Sequence, residues 1–226
     1  MNPRLRPALL AVLVCTGCVL MAWVEVGLSP TYWTKSLLKI LIFGGCTLLY
    51  GLLSRDDTLF FPFRKPSFPS LKQALFLAAG VFIFLLGGYA VLSPWLDLSG
   101  VTGNLGSKEG ITAAQFPLVA LYISLVNSLL EEWFFRGFAY LNLRRTAPRF
   151  AFVFSSLAFA LYHVCIMGSW FHPVLLLLLI AGLVIAGMLF NLLDRKGSLW
   201  CGWLVHMSAN LAINTIALIL FGYFSR

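Results

Sequence analysis

The sequence predicts an all-α fold, a polytopic bundle of about seven transmembrane helices around a polar intramembrane cavity, and three observations carry that prediction. Of 226 residues, 60% are hydrophobic and only 11% are charged, whereas soluble domains run near 45–50% apolar and about 25% charged. The apolar residues fall into stretches of the roughly 20 residues that a bilayer core requires. The ionisable groups inside those stretches are few and concentrated in three of the later ones.

In chain order, the first span is read over Pro7–Leu28 and the second over Ser36–Leu53. The third covers Leu71–Leu92 and the fourth Ala113–Leu143, the latter long enough to tilt or to run beyond the hydrocarbon. The fifth covers Phe150–Gly168, the sixth Pro173–Leu193 and the seventh Ser198–Phe224. Chain breakers punctuate the connections: Pro62, Pro66 and Pro69, then Gly100, Gly103 and Gly106, then Pro148, then Gly197. There is no internal repeat and no separate soluble domain; residues 1–226 read as a single integral membrane domain, with the catalytic helices over about 113–224.

Lysine and arginine test this layout, because cytoplasmic loops carry an excess of both. One side holds Arg4, Arg6, Arg55, Arg64, Lys65, Lys72, Arg144, Arg145, Arg149, Arg195 and Lys196, and the other Lys35, Lys39, Lys108 and Arg226, a split of eleven to four. The N-terminus is therefore expected in the cytoplasm and the C-terminus outside, in a prokaryotic plasma membrane. Loop charges of this kind also explain the net charge of +8 without nucleic acid as a partner. Arg4 and Arg6 before an apolar run resemble a signal peptide, and Thr16-Gly17-Cys18 faintly echoes a lipoprotein cleavage site. The run continues to about Val24, which favours an uncleaved span. The five cysteines (Cys15, Cys18, Cys46, Cys165, Cys201) lie in apolar stretches without CxxC spacing. They read as small core residues, not as a disulfide framework or a zinc knuckle.

Ionisable groups within spans are costly and are functional hypotheses by default. The fourth span holds Glu131, Glu132 and Arg136 in LLEEWFFRGF, the fifth His163 in FALYHV, and the seventh His206 and Asn210 in HMSAN. At 1.5 Å per residue, Glu131, His163 and Asn210 lie roughly 18–20 Å from the cytoplasmic ends of their spans and His206 roughly 12 Å. Glu132 and Arg136 are i,i+4 neighbours and can form an ion pair that offsets the burial of both. Glu131 points about 100° away and has no such local partner, so it is the carboxylate available for chemistry. His206 and Asn210 share one face and can address the same small object.

These segments have the forms EExxxR (Glu131–Arg136), FxxxH (Phe159–His163) and HxxxN (His206–Asn210). In this order, on successive late helices, they resemble the CPBP family of CAAX proteases and bacteriocin-processing enzymes, also called the Abi family. The likeness covers about Leu118–Leu218. It implies an eight-helix-like bundle, often with one helix fewer, around a cavity open toward the cytoplasmic side. It implies Glu131 as general base, His163 as the residue that helps position and activate water, and His206 and Asn210 as oxyanion donors. Glu132 and Arg136 become structural support. The expected function is an intramembrane endopeptidase acting on a membrane-associated protein or peptide within the lipid bilayer.

The chemistry also follows from the residues, since peptide hydrolysis needs an activated water, a stabilised oxyanion and a proton for the leaving amine. Zinc remains an alternative, because Glu131, His163, His206 and Asn210 could ligate it. Without HExxH, and with Asn a poor ligand, metal-free chemistry is favoured and no cofactor is expected. Two other classes stand beside the protease. A proton-coupled carrier would use Glu131 and the histidines as a relay, yet inverted repeats and corresponding helix breaks are absent. A non-catalytic scaffold or immunity protein would have no need of the full polar set. The short chain suggests a prokaryotic enzyme, so a leader peptide or a C-terminal sorting tail is a better substrate candidate than a prenylated CaaX tail.

Overall fold

A computed structural model of the chain describes residues 5–54, 63–168 and 170–224. Arg4, Arg55, Pro62 and Arg226, invoked above, lie outside the described residues. Eight helices are described: α1 Arg6–Leu28, α2 Tyr32–Ser54, α3 Phe68–Trp95, α4 Ser99–Ser107, α5 Ala113–Leu143, α6 Pro148–Met167, α7 Pro173–Asp194 and α8 Trp200–Leu220. All but α4 are long and apolar enough to cross a membrane, seven spans in all, and no strand is present among the described residues. The outer surface is apolar, with Phe76 84% and Leu52 78% exposed, as contact with lipid chains requires.

The helix starts follow from local chemistry. Pro7, Pro69, Pro148 and Pro173 each stand in a first turn, where the missing N–H would have found no partner. The α7–α8 corner turns on Gly197, whose φ of +85° favours glycine; its N–H bonds the Asp194 carbonyl at 2.8 Å. Span two begins at Tyr32, four residues before the expected start, which puts Lys35 as well as Lys39 inside the helix.

The core is aromatic at its centre. Phe43 of α2 stacks on Phe134 of α5 with ring centroids 3.9 Å apart and planes 5° from parallel. Phe135 and Phe138 fill the adjoining space, both fully buried. Helix α1 packs into this core through Leu10, Leu13, Val14 and Met21. Gly187 lets α7 approach α6 so closely that a methyl group there would meet the Ser156 Cα at 3.0 Å. Asn191 ties the same pair, donating to the Phe152 carbonyl at 3.0 Å and to Ser156 Oγ at 3.1 Å. Helix α3 lies on the outside against α8, joined by the Ser208 hydroxyl donating to the Ala78 carbonyl at 2.8 Å.

Two stretches of α5, Ile123–Asn127 and Trp133–Tyr140, widen to π-helical winding. Such widening is common at functional sites, and here it brackets Glu131 and Glu132. Side chains from neighbouring helices bond carbonyls in these wide turns: Ser155 Oγ donates to Phe135 O at 2.7 Å and Asn210 Nδ2 to Ile123 O at 3.3 Å.

Candidate active site

Glu131, almost fully buried, is the centre of the site. Its Oε2 lies 3.7 Å from His163 Nε2 and 3.6 Å from His206 Nε2, so α5, α6 and α8 bring three of the expected residues to one point. The other carboxylate oxygen, Oε1, is held at 2.5 Å by the Lys39 ammonium of α2 and at 3.1 Å by the Asn127 amide. Lys39 in turn donates to Asn127 Oδ1 at 2.6 Å. This corrects two expectations. Glu131 is not without a local partner, because Asn127 stands one turn earlier on its own helix. Lys39 is not a loop charge but a buried cation that neutralises Glu131, with the Tyr162 ring 4.9 Å from its Nζ.

The histidines are oriented by hydrogen bonds at their far nitrogens. His163 Nδ1 lies 2.7 Å from the Phe159 carbonyl; a carbonyl only accepts, so Nδ1 carries a proton and Nε2 is the nitrogen that faces Glu131. The ring of the same phenylalanine packs against the imidazole, centroids 4.5 Å apart and planes at 60°. His206 Nδ1 donates to Glu132 Oε1 at 2.8 Å. Glu132 accordingly does more than pair with Arg136; it also fixes the second histidine. Phe190 lies against His206, centroids 5.1 Å apart and planes at 16°, so the ring is held on its face as well as at its edge.

The expected Glu132–Arg136 ion pair is present at 3.3 Å, both side chains fully buried. Arg136 lies between two aromatic faces, its guanidinium carbon 4.2 Å from the Phe159 centroid and 4.9 Å from that of Phe190, which offsets part of the cost of burying it. Asp194 is within electrostatic reach of both members of the pair and accepts the Gly202 N–H at 2.9 Å. Sequence reasoning left Asp194 with the loop that follows it.

Asn210 stands apart from the carboxylate. It lies one turn beyond His206 on α8, on the wall of a cavity of about 330 Å³, with its amide turned to Ile123 O. That cavity runs from Glu131, His163 and His206 along the second half of α1, the first half of α2, α4 and the ends of α6 and α8. It therefore leads to the end of the bundle that bears the α1–α2 turn, opposite the arginine-rich loops. The cytoplasmic opening implied by the family resemblance and the orientation implied by the charge count disagree about which face this is.

Near that end Lys35 bonds both Glu25 (2.8 Å) and Glu109 (2.9 Å), all three side chains buried. This cluster ties the α1–α2 corner to the segment before α5, and it too was missed while Lys35 was counted as a loop residue. Lys39 and Asn127 were nevertheless detectable in principle, as polar residues within a turn or two of a span's apolar run.

No group of three or more His, Cys, Asp or Glu side chains placed to hold a metal ion is found among the described residues. Glu131, His163 and His206 offer the nearest approach to a donor set, but the Lys39 cation already occupies one side of the carboxylate.

Residues 113–212 match the family model described as type II CAAX prenyl endopeptidase Rce1-like. Over this segment the chain is similar to Rce1-like type II CAAX prenyl endopeptidases. The match begins at the first residue of α5, spans Glu131, His163, His206 and Asn210, and is consistent with a CPBP-family intramembrane protease. It supports a peptidase and, in general terms, an intramembrane endopeptidase of the CAAX type. The Rce1-like segment excludes α1 to α4, so Lys39 and Lys35 lie outside it. No curated protein and no solved structure matches the chain.

Proposed function

We propose that the protein hydrolyses a peptide bond of a membrane-associated protein or peptide by a metal-free route in which Glu131 is the general base. The observation that carries this reading is the convergence of Glu131 Oε2 with His163 Nε2 and His206 Nε2 at 3.6–3.7 Å, beside the cavity. Those separations are too long for direct hydrogen bonds and suit a water molecule bridging the three atoms. Such a water would give one proton to Glu131 while its second hydrogen is held by the His163 lone pair. The oxygen then attacks the carbonyl carbon, and Glu131 passes its proton to the leaving amine, so that one water yields one carboxylic acid and one amine.

His206 and Asn210 are assigned to the oxyanion. In this assignment His206 meets the oxyanion through an Nε2–H while its Nδ1–H is held by Glu132 Oε1. The second N–H of Asn210 is available beside the one that meets Ile123 O. Lys39 and Asn127 act through Glu131 by fixing Oε1, which turns Oε2 toward the histidines.

The test compares membranes of cells carrying the wild-type protein and Glu131→Gln, which keeps the side chain's shape while removing the base, at matched amounts of protein in the membrane. A membrane peptide that is cut in the first and accumulates uncut in the second supports the assignment. A Glu131→Gln protein that cleaves normally, or one whose only defect is a pH-coupled flux, would sink it.

A further inference from the structure

The charges and the cavity together give the site a side. At one end of the bundle the α5–α6 loop carries Arg144, Arg145 and Arg149, and the α7–α8 loop carries Arg195 and Lys196. Arg144 donates to the Arg195 carbonyl, so the two loops form one cationic surface. The opposite end bears Lys108 and the ion-paired Lys35. Once Lys35 and Lys39 are removed from the loop tally, the asymmetry is steeper than the sequence count of eleven to four, and an excess of this kind marks the cytoplasmic face.

From Glu131 the way toward the cationic end is filled. Arg136, Phe135, Phe138 and Phe159 lie beneath the cluster, each 0–1% exposed, and Asn191 and Ser155 close the α6–α7 seam behind them. Among the described residues the cavity extends the other way, lined in turn by Asn210, Asn214 and Ala217 of α8 and by Lys35 and Glu109 at its far end. The lining of that route is mostly apolar, and its lysines and asparagines are hydrogen-bonded within the bundle.

We infer that the site is loaded from the extracytoplasmic face, and that its substrates are membrane-anchored polypeptides whose scissile segment lies on that face. The substrate class rests on the peptidase reading above; the sidedness rests on the cavity and the charges alone.

The test is labelling with a membrane-impermeant maleimide in intact cells, read as the increment over the parent protein. Gly103→Cys, on α4 at the cavity end, and Lys196→Cys, in the α7–α8 loop, are both exposed positions. Ala217→Cys, within the cavity wall, is treated with a small charged methanethiosulfonate. The expected result is labelling of Gly103→Cys in intact cells, of Lys196→Cys only after permeabilisation, and of Ala217→Cys from outside. Labelling of Lys196→Cys in intact cells, or modification of Ala217→Cys only from the Lys196 side or from neither side, overturns the inference. If a cysteine variant fails to accumulate, reporter fusions after Gly103 and after Arg145 give the same answer, with an external Arg145 fusion overturning it. None of these readouts requires cleavage, so this inference and the peptidase assignment fail separately.

Discussion

Replacing Lys39 by methionine removes the cation that holds Glu131 and leaves a side chain of similar length between Phe43 and Tyr162. The Lys39 and Glu131 side chains are 7% and 2% exposed and meet at 2.5 Å, so the ammonium is the main counter-charge of the carboxylate. Breaking a buried pair from one side costs about 3–5 kcal/mol, because the remaining charge is stranded. For a chain of this size, 1 kcal/mol moves the melting temperature by roughly 2–4 °C, so Lys39→Met should lower it by roughly 6–20 °C. Glu131→Gln alone strands the lysine and should be destabilised comparably. The double variant removes both charges and should recover most of the loss, since an uncharged pair of similar volume is often neutral. Thermal unfolding of the four detergent-purified proteins gives the coupling directly, with an expected value of at least about 2 kcal/mol, well outside the roughly 0.5 kcal/mol scatter of independent sites. If the two substitutions add within that scatter, the pair does not hold Glu131, and the positioning role given to Lys39 fails with it.

Arg136→Ala takes the cation from beside Glu132 and empties the space between the Phe159 and Phe190 rings, and should cut folded yield as well as activity, at a cost of about 3–5 kcal/mol; a well-folded but inactive protein would assign Arg136 to substrate contact instead. Gly202→Ala drives a methyl group to 2.5 Å from an Asp194 carboxylate oxygen and should destabilise by about 1–3 kcal/mol, measured by the same melting assay. Activity of the purified protein should survive dialysis against a strong chelator, with well under one zinc per chain. Loss that returns on adding zinc, but not magnesium, would show the metal-free route to be wrong.

The seven spans were legible in the sequence because length and apolar composition are local properties that a bilayer imposes on each segment separately. The Glu132–Arg136 pair was legible for a related reason: i,i+4 neighbours meet on any helix, whatever surrounds it. The coincidence in depth of Glu131 and His163 followed from counting residues along straight helices, and the structure brings them together as counted. Asn210 was placed on the right helix face, although its amide turns to a carbonyl of the widened α5 turn, a backbone feature with no side-chain pattern to announce it.

What only the tertiary structure decided are the contacts that depend on how one helix is rotated against another. Lys39 and Lys35 lie near the start of α2, where a span and a loop have similar composition. Their pairing with Glu131, and with Glu25 and Glu109, depends on α2 facing α5 and the α1–α2 corner. The bond from Glu132 to His206 arises in the same way, from two helices whose residues are 74 positions apart in sequence. The direction of the cavity is of this kind too. A sequence specifies which residues are bulky, but whether Phe135, Phe138 and Arg136 plug one end of the bundle or line its outside is settled by packing, which is a property of all the helices at once.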